Sequence, residues 1–250
     1  MFYKQNQSYE LDEKLFKNPT SEYRAAPFWA WNCKLNKDIL NEQIDIFKKM
    51  GFGGFHMHSR IGMSTPYLKD EFMGLIKFCT QKAEQENMLA YLYDEDRWPS
   101  GSAGGYVTKT HKYRQRYLIF SQNSREHFSL DEAINNSKDY LLAVFDVVLN
   151  EKGELKSYHT ISENDTTIGT KWYAYVHTHD ESPWHNNQTY VDTLNKEAID
   201  EFIKITYEAY QSAVGDKFNK IIPSIFTDEP QCKPKIPLSF ADSTDDAQLP

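Results

Sequence analysis

The sequence has 250 residues, 40% of them hydrophobic and 14% aromatic, which is enough to bury a large core and excludes an intrinsically disordered chain. Its 28 basic and 36 acidic residues give a formal net charge of −8. This balance argues against a nucleic-acid partner, because binding a phosphate backbone requires a basic surface.

The targeting and cysteine patterns are those of a cytoplasmic protein. The first residues contain no apolar segment of signal-peptide length, and no later segment is apolar enough for a membrane span. The cysteines, Cys33, Cys79 and Cys232, are odd in number and far apart, which suits neither a disulfide framework nor a structural zinc site. We therefore expect reduced thiols, a cytoplasmic location and no membrane partner.

Apolar segments alternate with amphipathic ones over the first hundred residues. The pattern predicts strand 27–31, helix 36–50, strand 52–58, helix 68–86 and strand 88–93. Asn36 is a suitable N-cap for the first helix and Gly51 a suitable stop. Because the strands are continuously apolar, the pattern favours a parallel sheet buried on both faces.

A different pattern follows from about Lys112 to Tyr190. Its segments are rich in Tyr, Val, Ile and Phe and are separated by turn-forming stretches, such as Asn150 to Glu154. We expect a small antiparallel β insertion that stands off as a subdomain. The two-residue period along a strand places Val144 and Val148 on one face.

The first pattern resumes with helix 195–214 and strand 221–227. We therefore expect an α/β fold, a partial (β/α)8 barrel of the TIM type comprising its first four strands. The predicted segments are the barrel over 1–111, the insertion over 112–190, and the barrel continued through strand four over 191–250. A complete barrel needs about 250 residues without insertions, so we expect half a barrel whose edge strands favour a homodimer.

Polar residues follow each of the four predicted strands. In a (β/α)8 barrel the active site lies at these carboxyl ends. Indole rings there suit stacking on a sugar, and a carboxylate in a partly apolar pocket suits a general acid. The candidate catalytic residues are Asp228 and Glu229, and the candidate substrate-binding residues are Trp31, Asn32, His56, His58, Arg60, Asp94, Asp96, Arg97 and Trp98.

Each candidate also has a purely structural explanation. A single histidine is often half-buried and satisfied, the acidic segment after the third strand could form a loop ion-pair network, and tryptophans often belong to the core. Asp228 and Glu229 could bind only Arg97. A metal-dependent hydrolase using His56 and His58 is a further alternative, although no additional ligands are evident on the other strands.

Five motifs resemble one enzyme family. They are PFWAWN, GGFHMHSRIGMSTPYL, YLYDEDRWPSGSAGG, YVDTLNKEAIDEFI and IPSIFTDEP. Together, over most of residues 23 to 230, they resemble the α-L-rhamnosidase-like proteins of glycoside hydrolase family 106. The resemblance implies a (β/α)8 catalytic domain that cleaves terminal deoxyhexose glycosides with inversion. It also implies a calcium ion near the substrate and Glu229 as the general acid.

One part of the family's machinery has no match in this sequence. The base that activates water comes from the later half of the family's barrel, and inversion needs two carboxyl groups roughly 6.5–9.5 Å apart. We therefore interpret the chain as the N-terminal half of a glycoside hydrolase catalytic domain, incomplete for turnover. The alternative is a catalytically inactive sugar-binding module. Strand alternation should direct Asp228 towards Arg97 or a cation, and Pro230 should keep Glu229 extended.

Overall fold

The computed structural model describes residues 9–238 and 245–250. Its helices are α1 Glu13–Lys17, α2 Lys37–Lys49, α3 Asp70–Gln85, α4 Leu130–Asn136 and α5 Lys196–Val214, with short 3-10 turns at Ser21–Tyr23, His111–Tyr113, Pro183–His185 and Gly215–Lys217. Its strands are β1 Phe28–Trp31, β2 Gly54–Ser59, β3 Leu89–Tyr93, β4 Arg116–Ser121, β5 Tyr140–Leu149, β6 Leu155–Ile161, β7 Thr170–Thr178, β8 Ile225–Phe226 and β9 Ala247–Leu249.

The chain divides into two compact units. The parallel unit comprises Met1–Gly104 with Asp200–Pro230, and the antiparallel unit comprises Gly105–Ile199 with Gln231–Pro250. The mixed α/β class, with one parallel and one antiparallel sheet, is therefore confirmed. Among the described residues, no helix has both the length and the apolar character needed to cross a membrane.

The parallel unit contains a four-stranded sheet in the order β1-β2-β3-β8, with every neighbouring pair parallel. Within the described residues this sheet does not close into a barrel, so the predicted (β/α)8 architecture is not confirmed. The helix that precedes β2 begins as expected, because the Asn36 side chain accepts hydrogen bonds from the N–H groups of Asp38 and Ile39.

One face of this sheet packs on the helices. Trp29 and Trp31 point to that side of β1, where Trp29 lies edge-on to Phe47 of α2 and Trp31 lies edge-on to Phe72 of α3. Phe55 on β2 joins the same core and is fully buried. The strict alternation of exposed and buried residues along β1 shows that its two faces have different environments.

The opposite face carries a set of rings that we call the aromatic face, formed by Phe28, His56, His58, Tyr91, Tyr93 and Phe226. His56 stacks on Tyr91 with 4.4 Å between ring centroids, and His58 stacks on Tyr93 at 3.8 Å. Phe28 stays 58% exposed. This face is therefore less covered than the helix side, and it leads directly to the carboxyl ends of the strands.

The antiparallel unit contains a five-stranded sheet in the order β6-β5-β7-β4-β9. The predicted antiparallel strands are present, and the regular two-residue alternation from Val144 to Val148 in β5 puts both residues on one face. Two elements were not predicted. Helix α4 begins with a capping box between Ser129 and Glu132, and β9, from the proline-rich end of the sequence, pairs with β4.

Gly54 lies where β2 and β3 come closest. A Cβ atom on Gly54 would lie 2.5 Å from the backbone oxygen of Leu89, whereas a Cβ atom on Gly74 in α3 would meet nothing within 4 Å. We expect Gly54→Ala to lower the free energy of unfolding by about 2–3 kcal/mol, as overpacking does. Gly74→Ala should raise it by about 0.5–1 kcal/mol. Urea denaturation measures both, and equal effects would contradict the close approach.

The homodimer expected from the sequence stays a prediction. In the part of the chain that the structure describes, β1 pairs only with β2, and β8 pairs only with β3. Edge strands of this kind favour pairing with another chain. We expect sedimentation equilibrium at micromolar concentration to give the mass of two 29.3 kDa chains. A single species of monomer mass would contradict it.

Candidate functional site

Two segments meet at the carboxyl edge of the parallel sheet. The first, which we call the acidic loop, runs from Asp94 to Gly104 after β3, and the second is Thr227–Glu229 after β8. The Ser100 N–H donates to the Asp228 carbonyl oxygen at 2.8 Å, and the Asp228 N–H donates to Ser100 Oγ at 2.9 Å. These reciprocal bonds fix the two segments to each other.

Asp94 connects the acidic loop, α5 and the segment after β8 through hydrogen bonds to its buried side chain. Its side chain is fully buried and accepts hydrogen bonds from three hydroxyl groups, those of Ser100 at 2.6 Å, Thr227 at 2.6 Å and Tyr207 at 2.7 Å. Burial raises the pKa of Asp94, and the hydroxyl donors lower it. Asp94 therefore ties the end of β3 to α5 and to the segment after β8, and its contact with a substrate stays a prediction.

Glu95 is buried beside it, with 1% of its surface exposed. Its Oε2 atom accepts the N–H groups of Gly101, Ser102 and Ala103, and its Oε1 atom accepts those of Asp96 and Gly104. Burial raises the pKa of Glu95 to about 7, and the backbone donors act in the opposite direction. The carboxylate thus binds the loop that follows it.

Asp228 faces the aromatic face rather than Arg97. The Tyr93 hydroxyl donates to Asp228 Oδ2 at 3.1 Å, and His58 Nε2 lies 3.8 Å from the same oxygen. Burial and the positive charge of Arg60 lower the pKa of His58, while Asp228 raises it. The interpretation that Asp228 orients Arg97 is wrong, because Arg97 donates from Nε and Nη2 to Asp96 at 3.0 Å.

Glu229 is exposed and has an unusual backbone. Its φ angle is +43°, so the expectation that Pro230 keeps it extended is wrong. A left-handed non-glycine residue costs on the order of 1–3 kcal/mol. The surrounding contacts hold it there, since the Trp98 indole N–H donates to Glu229 Oε2 at 2.9 Å and the backbone of Asp228 is fixed by Ser100.

The remaining candidates divide between core and surface. Trp31 is only 1% exposed and belongs to the helix-side core, and its contact with a sugar stays a prediction. Asn32 and Arg60 are exposed just beyond the ends of β1 and β2. His56 is half-buried, and its Nδ1 atom lies 3.2 Å from the Ala26 carbonyl oxygen. Burial lowers the pKa of His56.

Sequence reasoning missed the hydroxyl groups that support this site. They belong to Tyr93, Ser100, Thr227 and Tyr207, which contact the carboxylates of Asp94 or Asp228. Tyr207 lies on α5, far along the chain, and an aromatic residue on an amphipathic helix gives no sign that its hydroxyl reaches a strand end. Tyr93, Ser100 and Thr227 lie close to the acidic motifs in the sequence, whereas Tyr207 does not.

The described residues do not fit the calcium ion that the family resemblance implies. Calcium prefers six to eight oxygen ligands, but the oxygens of Asp94 and Glu95 are taken by hydroxyl and N–H donors. Among residues 9–238 and 245–250, no group of three or more His, Cys, Asp or Glu side chains is arranged to hold a metal ion. Among the same residues, His56 and His58 therefore gain no further metal ligand.

Comparisons with known proteins give little beyond this geometry. No protein-family model matches the sequence, and no curated protein matches it. Among solved structures, the chain is similar to a rhamnosidase from Novosphingobium sp. PP1Y, with a TM-score of 0.38 and 16% sequence identity. The match covers 56% of this chain and 16% of that chain. A similarity this low carries no functional argument.

Removing one hydroxyl tests the support for Asp94. Tyr207→Phe deletes a donor to the buried carboxylate, so we expect the free energy of unfolding to fall by about 1–2 kcal/mol. Tyr91→Phe is the matched control, because the Tyr91 hydroxyl makes no hydrogen bond to the residues that the structure describes. Urea denaturation should show little change for the control. Equal losses in both variants would mean that the bond to Asp94 contributes nothing.

Proposed function

We propose that this chain binds terminal deoxyhexose glycosides at the carboxyl edge of its parallel sheet, and that Glu229 is the general acid of a glycoside hydrolase site. The observation that carries the proposal is the Glu229 carboxylate itself. It is exposed, sits on a left-handed backbone and is held by an indole N–H. Strained non-glycine residues cluster at functional sites.

Trp98 supplies an apolar surface next to that carboxylate. Its ring is partly exposed while its N–H is committed to Glu229. The C–H face and the methyl group of a deoxyhexose pack on an aromatic ring of this kind, whose body is apolar and whose N–H is polar. In this arrangement the glycosidic oxygen lies near the carboxyl group that protonates it.

Polar groups around Glu229 provide the hydrogen bonds that a sugar ring needs. Arg97 precedes Trp98 on the acidic loop, Asp228 precedes Glu229, and Asn32 and Arg60 are exposed beyond the ends of β1 and β2. A small number of well-placed polar groups next to aromatic surfaces is typical of small-molecule sites. We propose Asn32, Arg60, Arg97 and Asp228 as contacts to sugar hydroxyls. Asp96 and His58 are buried and lie against Arg97 and Asp228.

Glu229 would act by donating a proton to the leaving oxygen. With Oε2 held by Trp98, the other carboxyl oxygen delivers the proton in this proposal. Protonation by a positioned acid contributes about 10²–10⁴-fold to the rate. The activation free energy falls because the proton neutralises the negative charge that develops on the leaving oxygen as the glycosidic bond breaks.

A second candidate function is sugar binding without hydrolysis. The hydrogen bonds and ion pairs that occupy the other carboxylates at this edge favour it. Asp94 and Glu95 are buried and saturated with donors, Asp96 is paired with Arg97, and Asp228 is bonded to Tyr93. An inverting hydrolase needs a second carboxylate that activates water, and none of these four is presented for that task.

The Glu229→Gln variant tests whether Glu229 acts as a general acid or only positions the sugar. We expect this variant to lower kcat/KM at least 100-fold on an alkyl α-L-rhamnoside, because the leaving oxygen loses its proton donor. On 2,4-dinitrophenyl α-L-rhamnoside, whose phenolate leaves without protonation, the loss should stay below about tenfold. Both rates are measured on the full chain, and titration calorimetry with methyl α-L-rhamnoside measures binding.

The control for this experiment is Glu86→Gln. Glu86 follows α3 at the amino end of β3, where it pairs with Lys48 and Lys82, away from the carboxyl edge. This variant should match the wild type in binding and rate. Equal losses on both substrates in Glu229→Gln would remove the acid role. Binding without hydrolysis in the wild type would favour the second candidate, and no binding of any deoxyhexoside would refute both.

A further inference from the structure

Glu95 is a buried carboxylate that has no ion pair among the described residues. It is 1% exposed, and every donor to its side chain is a backbone N–H group of the acidic loop. A buried charge is costly unless hydrogen bonds replace its hydration. The five donors supply that replacement, so the loop and the carboxylate stabilise each other.

The backbone of the loop is shaped to converge on this anion. Gly101, Ala103 and Gly104 have φ angles of +137°, +50° and +64°. Positive φ values turn successive N–H groups to one side and create a concave anion-binding nest. Here the occupant of the nest is the chain's own Glu95. Without the carboxylate, the buried N–H groups of Gly101, Ser102 and Ala103 would lose their acceptor, and this loop conformation would be destabilised.

The same loop carries the groups that reach the candidate site. Trp98 donates its indole N–H to Glu229 at 2.9 Å. Ser100 bonds to the Asp228 backbone in both directions. Both residues lie between Glu95 and the N–H groups that it binds at 101–104. The loop segment that presents Trp98 and Ser100 is therefore closed at its base by Glu95.

We infer that Glu95 is a positioning residue for the candidate sugar site. Its carboxylate closes the acidic loop so that Trp98 meets Glu229 and Ser100 fixes Asp228. Glu95 touches no substrate in this scheme. Its effect on sugar affinity rests on the proposed function, whereas its effect on the position of Trp98 does not.

Glu95→Gln tests this inference with little change in shape. A carboxylate has about four acceptor sites, whereas an amide has one acceptor oxygen and an NH₂ group that would face other N–H donors. The environment of Trp98 is followed by fluorine NMR of protein labelled with 5-fluorotryptophan. The chain has five tryptophans, and Trp98→Phe identifies the resonance of Trp98. Titration calorimetry with methyl α-L-rhamnoside gives the affinity.

We expect Glu95→Gln to shift or broaden the Trp98 resonance and to leave those of Trp172 and Trp184, in the antiparallel unit, unchanged. The dissociation constant for the rhamnoside should rise at least tenfold. Thr80→Val is the matched control, because Thr80 is buried in α3 and donates only to the Ile76 carbonyl oxygen. This control should lower the unfolding midpoint without moving the Trp98 resonance or the affinity.

Glu95→Asp keeps the inference falsifiable if Glu95→Gln does not fold. The shorter carboxylate retains its charge but cannot reach all five donors, so we expect a smaller shift of the Trp98 resonance in the same direction. A folded variant with an unmoved Trp98 resonance would overturn the positioning role. A moved resonance with unchanged affinity would refute the link to binding. If the wild type binds no rhamnoside, the proposed function fails, and the Trp98 resonance still decides the role of Glu95.

Discussion

Two consecutive carboxylates, Asp94 and Glu95, are buried where β3 ends, and no ion pair reaches either of them within residues 9–238 and 245–250. Their desolvation must be offset by hydrogen bonds, since an unpaired buried charge would destabilise the fold by several kcal/mol. Asp94 accepts hydrogen bonds from hydroxyl groups of α5 and of the segment after β8. Glu95 accepts them from the N–H groups of its own loop. The local structure at the carboxyl edge follows from these two requirements.

The two carboxylates face different neighbours. Asp94 gathers long-range partners, notably Tyr207 on α5 and Thr227 after β8. Glu95 accepts from short-range partners, which are the adjacent Asp96 and residues 101–104, six to nine residues further along the chain. One residue therefore links separate elements, and the other shapes a single loop. The exposed Glu229 and Trp98 depend on both.

The two faces of the parallel sheet have different environments. Trp29, Trp31 and Phe55 pack against α2 and α3, where burial of apolar area stabilises the unit. The aromatic face instead keeps His58 stacked on Tyr93, and this ring pair leads to Asp228.

The sequence by itself determined most of the longer elements, because caps and periodicity are local properties. Asn36 marked the start of α2, the apolar strands indicated a parallel sheet, and the turn at Asn150 indicated an antiparallel hairpin. It also showed that polar residues gather after the strands. Only the tertiary structure decided which of those residues are accessible, because burial depends on partners distant in the chain. Trp31 and Asp94 proved to be buried and Trp98 partly exposed, and contacts with the acidic loop gave Glu229 a backbone that Pro230 alone would not predict.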